Sequence, residues 1–372
     1  MRITVDRAEL ASAFGWASRG LPARPVIPVL DGMRLSVEDS VLTLSVFDYE
    51  QSVRARVSGN DAQCGEILVD GRDLKKIVSA LPKGKPVAVS LSSTAEALTI
   101  GSRGATWTLQ ALPGEKYPVL PGLPPLSGIA DGEAFARSAI RVSRAVSHDA
   151  KFPALGCVML TTHITALDMA ATDRYRLAVD KVPWTAADPE AGSLAVLVPS
   201  SAMETFTAKG RSGKVSIHLS QDMAGFADDA RVLTVRTRSG DFPKYRHLFH
   251  AESPLILTTS APKLAAIIGR VGTMSGRGEP IALDYAGGTL TVQAIRNGCP
   301  GAASEQLSGT TDAKEFQVSF NPAYLAQMLE GFDGEVRIKL DGDLTDGPKV
   351  AIIRPCGTDS FKALVVQVPA RA

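Results

Sequence analysis

The feature that most constrains this chain is its repetition. One mixed pattern returns three times across 372 residues, at a period of about 120. Each copy opens with a helical stretch, at 6–20, 131–148 and 261–274, where apolar residues recur at three- and four-residue spacing. Each then alternates with period two. Leu42, Leu44 and Val46, then Val215, Ile217 and Leu219, then Val336, Ile338 and Leu340 predict antiparallel strands with one face buried and one wet. A second landmark is a strand running through a capping residue into another helix: ILVDGRDLKKIVSALPKG, VLVPSSAMETFTAKG and VSFNPAYLAQMLEGFDG, with Asp70, Ser200 and Asn321 as the N-caps. The proline-bearing segments LPGEKYPVLP at 112–121 and SGDFPKYRHLF at 239–249 close the first two copies. The expectation is three α+β domains, 1–121, 122–250 and 251–372, each with two helices packed on antiparallel sheet.

The residues that carry chemistry elsewhere are not grouped here. Cys64, Cys157, Cys299 and Cys356 lack any CxxC or ligand spacing, and His148, His163, His218, His247 and His250 never pair with them at zinc spacing, so reduced thiols and no metal or cofactor are expected. Gly210-Arg211-Ser212-Gly213-Lys214 resembles a fragment of a phosphate loop, but Ala208 replaces its first glycine and Val215 the required Ser or Thr; a hairpin turn is the better reading. Ser147-His148-Asp149 spells a catalytic triad whose members, as neighbours in sequence, point apart. An enzyme is not expected. No apolar stretch is long enough to span a bilayer and the start MRITVDRAEL has no signal core, which predicts a cytoplasmic protein without membrane contact.

Charge is where the pattern becomes informative. The whole chain carries 40 Lys and Arg against 39 Asp and Glu. Its six helical segments hold sixteen basic against nine acidic groups, leaving twenty-four against thirty elsewhere, so basic helices stand on an acidic remainder. In the helix of the second copy, Phe135, Ala139, Val142 and Val146 form the apolar stripe, and Arg137, Arg141, Arg144 and His148 repeat that spacing about 200° around, on the face away from the core. Such a footprint suits a polyanion. Aromatic residues do not interleave with it, which favours phosphate contacts over base stacking.

These features converge on a family. LPARPVIPVLDGMRL at 21–35, ATDRYRLAV at 171–179, DFPKYRHLF at 241–249, FNPAYL at 320–325 and IIRP at 352–355 resemble the β subunits of bacterial DNA polymerase III, the sliding clamps, and the likeness covers essentially the whole chain. The resemblance implies a head-to-tail homodimer, a six-domain ring whose helices face duplex DNA without reading its sequence. It implies partnership with the polymerase III catalytic subunit, the clamp loader and other proteins carrying a clamp-binding motif. A different class, a clamp-fold interaction scaffold that no longer loads on DNA, is the competing reading.

By motif position Arg24 matches the family's DNA-contacting arginine; helix placement adds Lys75, Lys76, Arg137, Arg141, Arg144, Lys151, Lys263 and Arg270. For ring closure the candidates are Trp107 and Leu109 on one strand with Ile268, Val271 and Met274 on the facing helix. The family's peptide pocket maps onto Leu155, Thr172, Arg174, Tyr175, Arg176, Leu177, Pro243, His247, Leu248, Asn321, Tyr324, Ala351 and Ile353, and onto the tail Val366, Gln367, Val368, Pro369, Ala370 and Arg371. Here the sequence departs from pattern. The family tail commonly reads aromatic, two aliphatics, then Met-Pro-x-Arg-Leu, whereas Gln367 replaces an aliphatic residue, Val368 the methionine and Ala372 the leucine. Valine adapts to different ligands less readily than methionine. A variant or second-copy clamp that binds peptide-like inhibitors weakly, and so resists such antibiotics, is the expectation.

Overall fold

The computed structural model describes residues 1–83, 88–94, 96–208, 213–250, 255–276, 278–294, 303–340 and 350–368. Cys299, residues 210–212 of the loop-like motif, and Pro369, Ala370 and Arg371 of the tail lie outside them. Among the described residues six α-helices form the repeat: α1 (Arg7–Ala17), α2 (Gly71–Ala80), α3 (Gly132–Ser143), α4 (Ser200–Thr207), α5 (Ala261–Val271) and α6 (Pro322–Leu329). Asp6, Asp70 and Asn321 cap α1, α2 and α6 by accepting first-turn backbone N–H groups, the sites where helix donors have no internal partner. Ser200 differs from expectation, being the first residue of α4 rather than its cap. Helix α3 also stops at Ser143, five residues short of the predicted end, so Arg144 and His148 stand beyond it.

The chain packs as two compact units that cut through the middle repeat: residues 1–133, 185–191 and 201–237, and residues 134–184, 192–200 and 238–372. In the first unit an antiparallel run of eight strands begins at Gly65–Asp70 and passes through Gly32–Glu38, Val41–Phe47 and Gln51–Ser58. It continues through Arg231–Arg236, Met223–Ala227 and Lys214–Leu219 to Leu126–Asp131. The joint is Gln51–Ser58 against Arg231–Arg236, a first-repeat strand hydrogen-bonded to a second-repeat strand with Val53 opposite Leu233. A separate five-stranded sheet ends on the edge strand Ala105–Gln110.

The second unit repeats this construction. Ala195–Pro199, Cys157–Thr162, Ala166–Thr172 and Arg176–Ala186 are followed by Lys362–Val366, Val350–Pro355, Glu335–Leu340 and Leu255–Ser260. Its joint pairs Arg176–Ala186 with Lys362–Val366, Leu177 opposite Leu364. A four-stranded sheet ends on Ser304–Ser308.

Alternation sets the cores. Leu42, Leu44, Val46, Val215, Ile217, Val336, Ile338 and Leu340 are all fully buried. One wet face is not universal, however, because Ser45 and Phe47 are buried as well. The boundary segment at 112–121 helps cover that strand: Tyr117 packs with Phe47 and Leu68, and its hydroxyl accepts the Phe47 N–H at 2.8 Å. Burial pushes the Tyr117 phenol up to about 12, so it stays neutral in this role. No helix among the described residues is long and apolar enough to cross a membrane.

Candidate functional site

The predicted cations divide into exposed and engaged groups. Arg24, Lys75, Lys76, Arg137, Lys151 and Lys263 are exposed. Lys76 has a neighbour in Asp73, 2.7 Å away. The loop bearing Arg24 is held by a residue that sequence reasoning passed over: the Arg72 guanidinium lies 3.0 Å from Asp31 and donates to the carbonyl of Ala23 at 3.2 Å.

Arg141 is the main correction. It is 5% exposed, not on a wet face, and its guanidinium donates to Asp359 at 2.7 Å and Asp333 at 2.9 Å while lying over the Phe361 ring. The exposed positions of α3 are Glu133, Arg137 and Ile140, so the stripe away from the core includes an acid and an apolar residue. Arg144 is half-buried, 3.7 Å from Glu330. Arg270 is exposed but makes a two-pronged pair with Glu305, at 2.6 and 2.9 Å, which neutralises it locally.

The interface candidates separate in the same way. Trp107 and Leu109 are partly exposed on the edge strand and Met274 is exposed. Ile268 and Val271 are not available, because α5 packs on α6 and both residues are buried.

The second unit also contains an apolar centre. Ala170, Leu177, Tyr245, Phe249, Ile352 and Leu364 form a buried cluster, with Leu248, Val179, Phe242, Met159 and Val350 packed against it. The segment Thr172–Arg176 turns tightly at its rim. Asp173 Oδ1 accepts the N–H groups of Tyr175 and Arg176, both at 2.9 Å, and Thr172 donates to the Arg176 carbonyl at 2.7 Å. This places Arg174 at φ 80°, with its guanidinium 4.2 Å over the Phe152 ring. Arg176 is pinned by Asp173 and Gln327 and lies 4.7 Å over Tyr324, which stacks on Tyr175 at 6.1 Å. Asn321 fixes the start of that helix through the Tyr324 N–H. Val366 joins by donating its N–H to the Tyr175 carbonyl.

Leu155 is buried, while Pro243 and His247 are exposed beside the cluster. Ala351 and Ile353 are corrections. Both are fully buried, but side chains alternate along a strand, and the cluster takes Val350 and Ile352 from the other face. Tyr245, Phe249, Ile352 and Leu364 were missed, although the phase of strand 350–355 carried the signal for Ile352. Gln367 is 4% exposed, and among the described residues neither its side-chain oxygen nor its nitrogen has a hydrogen-bond partner, while Val368 remains half-buried.

Three consecutive family models match the chain: the N-terminal domain of the DNA polymerase III beta subunit over 1–121, its central domain over 130–244 and its C-terminal domain over 246–369. The beta sliding clamp of Streptomyces coelicolor is 32% identical, covering 99% of both chains. The beta sliding clamp homolog GriR of Streptomyces muensis is 31% identical, with 90% of this chain and 89% of that one covered. Among solved structures, the Pseudomonas aeruginosa clamp bound to griselimycin superposes with a TM-score of 0.89 at 23% identity over 99% of each chain. The fold therefore defines a sliding clamp, three domains of helices over antiparallel sheet. The chain belongs to the DNA polymerase III beta subunit family, whose members are non-catalytic.

Proposed function

We propose that this chain is the processivity clamp of a replicative polymerase, with domains at 1–121, 122–250 and 251–372. Two copies close head to tail around duplex DNA and tether the polymerase III catalytic subunit. The observation that carries this reading is the succession of three beta-subunit domains, in order, over nearly the whole chain. Two sheet edges support ring closure: among the described residues Ala105–Gln110 and Ser304–Ser308 each pair on one side only. The two internal joints already use strand-to-strand pairing, and each of these edges is open to pairing of the same kind. Trp107, Leu109 and Met274 are the interface residues we retain.

The exposed cations Arg24, Lys75, Lys76, Arg137, Lys151 and Lys263 make phosphate contacts that carry no sequence information and permit sliding. The apolar centre at Leu177 and Leu248 receives the clamp-binding peptides of polymerase, loader and other partners. Loading onto a nicked circle tests the reading. The clamp is expected to stay on the circle through a high-salt wash and to leave once the DNA is linearised; salt-sensitive binding that linearisation does not change refutes encirclement.

The altered tail is the basis of a narrower proposal. Griselimycin binds this clamp at least tenfold more weakly than it binds the Pseudomonas aeruginosa clamp, because Val368 stands where methionine is usual and Gln367 brings an unsatisfied buried amide to the adjoining strand. Equal dissociation constants for the two clamps by calorimetry refute it.

A further inference from the structure

The apolar centre has a charged continuation on the same sheet face. Three rows of residues cross the strands there. Thr172, Leu177, Leu364 and Ile352 form the first, and Ala170, Val179 and Lys362 the second, with Arg354 two residues beyond Ile352 on the same face. Asp168 opposite Lys181 forms the third. Successive rows are about 7 Å apart, so the face passes from leucine and isoleucine to lysine and arginine within one or two residues of an extended chain.

A cavity of about 290 Å³ opens at this charged end. Lys181, Arg246, Arg354 and Lys362 line it, against the carboxylates of Asp168 and Asp180. Asp180 is already satisfied by the hydroxyls of Ser138 and Ser360. Asp168 is shared by His163 at 3.2 Å, Arg246 at 3.4 Å and Lys181 at 3.9 Å. Arg354 gives one donor to the Phe249 carbonyl, and its Nε is buried with no partner among the described residues. Among the described residues that line the cavity, four cationic side chains thus stand against two carboxylates. The field registers on Lys362, whose ammonium is held below its ordinary value by burial and then by the charges of Arg354 and Lys181.

We infer that this cavity receives the carboxylates of acidic residues flanking the apolar motif of a partner peptide. The inference rests on the peptide-pocket reading above and extends that pocket along the face. A peptide docked at the edge of this cluster, beside the half-buried Leu248, carries its flank toward Lys362 and Arg354, where a carboxylate meets cationic groups in excess of Asp168 and Asp180.

The test uses three fluorescein-labelled peptides with one core of two leucines and a phenylalanine, flanked on both sides by two glutamates, two glutamines or two lysines. Anisotropy titrations with the full-length dimer at low salt are expected to rank glutamate about tenfold tighter than glutamine, with lysine weakest, and the gap narrows as salt rises. The double variant Lys181→Gln, Lys362→Gln reduces the gap to less than twofold while the glutamine-flanked peptide binds as before. Arg246→Gln, on an exposed turn, reduces it in part and guards against a folding defect in the strand variant. Equal binding of glutamate and glutamine flanks overturns the inference and leaves the pocket standing, as does inorganic phosphate displacing no flank-dependent signal from the native dimer. If none of the peptides binds, the pocket reading itself fails and this one with it.

Discussion

Replacing Arg141 by leucine is expected to destabilise the second unit by about 2 kcal/mol, within the range for losing hydrogen bonds to charged groups whose carboxylates still reach water. The side chain is almost wholly enclosed and holds two carboxylates, but Asp333 is itself 87% exposed and rehydrates once released. Asp359 is the costlier loss, because it is more enclosed and also accepts the Phe361 N–H. The contact of the guanidinium with the Phe361 ring goes as well. Urea unfolding followed by tryptophan fluorescence and circular dichroism measures the effect, and Arg137→Leu on the exposed stripe of the same helix should change stability by no more than about 0.5 kcal/mol.

The pair also fixes a pH dependence. Burial alone raises the Asp359 carboxyl, yet the Phe361 N–H and the Arg141 guanidinium outweigh it and hold the group below the usual carboxylate range. A depressed folded-state value means the stabilisation is complete above the unfolded value near 4 and is lost as pH falls through the folded one. The gap between native protein and Arg141→Leu should therefore be constant from pH 5 to 8 and close below about pH 4. A variant as stable as the native protein that has lost DNA retention returns Arg141 to the phosphate-contacting set.

Leu248→Asp is expected to weaken binding of the polymerase peptide at least thirtyfold, about 2 kcal/mol, with little change in stability. Leu248 is half-buried on a short turn against Tyr245, Phe249 and Leu177, so an aspartate there keeps contact with water in the free protein. A docked apolar peptide removes that water and strands the charge. Leu177 is the wrong residue for this experiment, since it is buried in the cluster and a charge would unfold the sheet. Unchanged peptide affinity in a folded Leu248→Asp protein sinks the pocket assignment.

What the sequence disclosed and what it concealed follow from the reach of local rules. The alternation of Leu42 with Leu44 and the caps at Asp70 and Asn321 depend on near neighbours, and both are present in the structure. Arg141 was misread because helical spacing says which way a side chain leaves the helix, not that Asp333 and Asp359, some two hundred residues on, come to cover it. Ile268 and Val271 failed for the same reason, with α6 supplying the cover. At Ala351 and Ile353 the strand was right and its phase wrong by one residue, which moves a side chain to the opposite face. The hold of Arg72 on the loop of Arg24 spans about fifty residues and leaves no periodic trace.

The strand joints carry a temporal consequence. Val53 meets Leu233 across 180 residues of chain, and Leu177 meets Leu364 across 187. A ribosome adding about 5–20 residues per second takes on the order of ten to forty seconds to supply each missing partner. For that interval Gln51–Ser58 is an open edge on a nascent chain, able to template foreign strands. Arg54 and Arg56, two like charges within its eight residues, oppose that pairing until Arg231–Arg236 emerges.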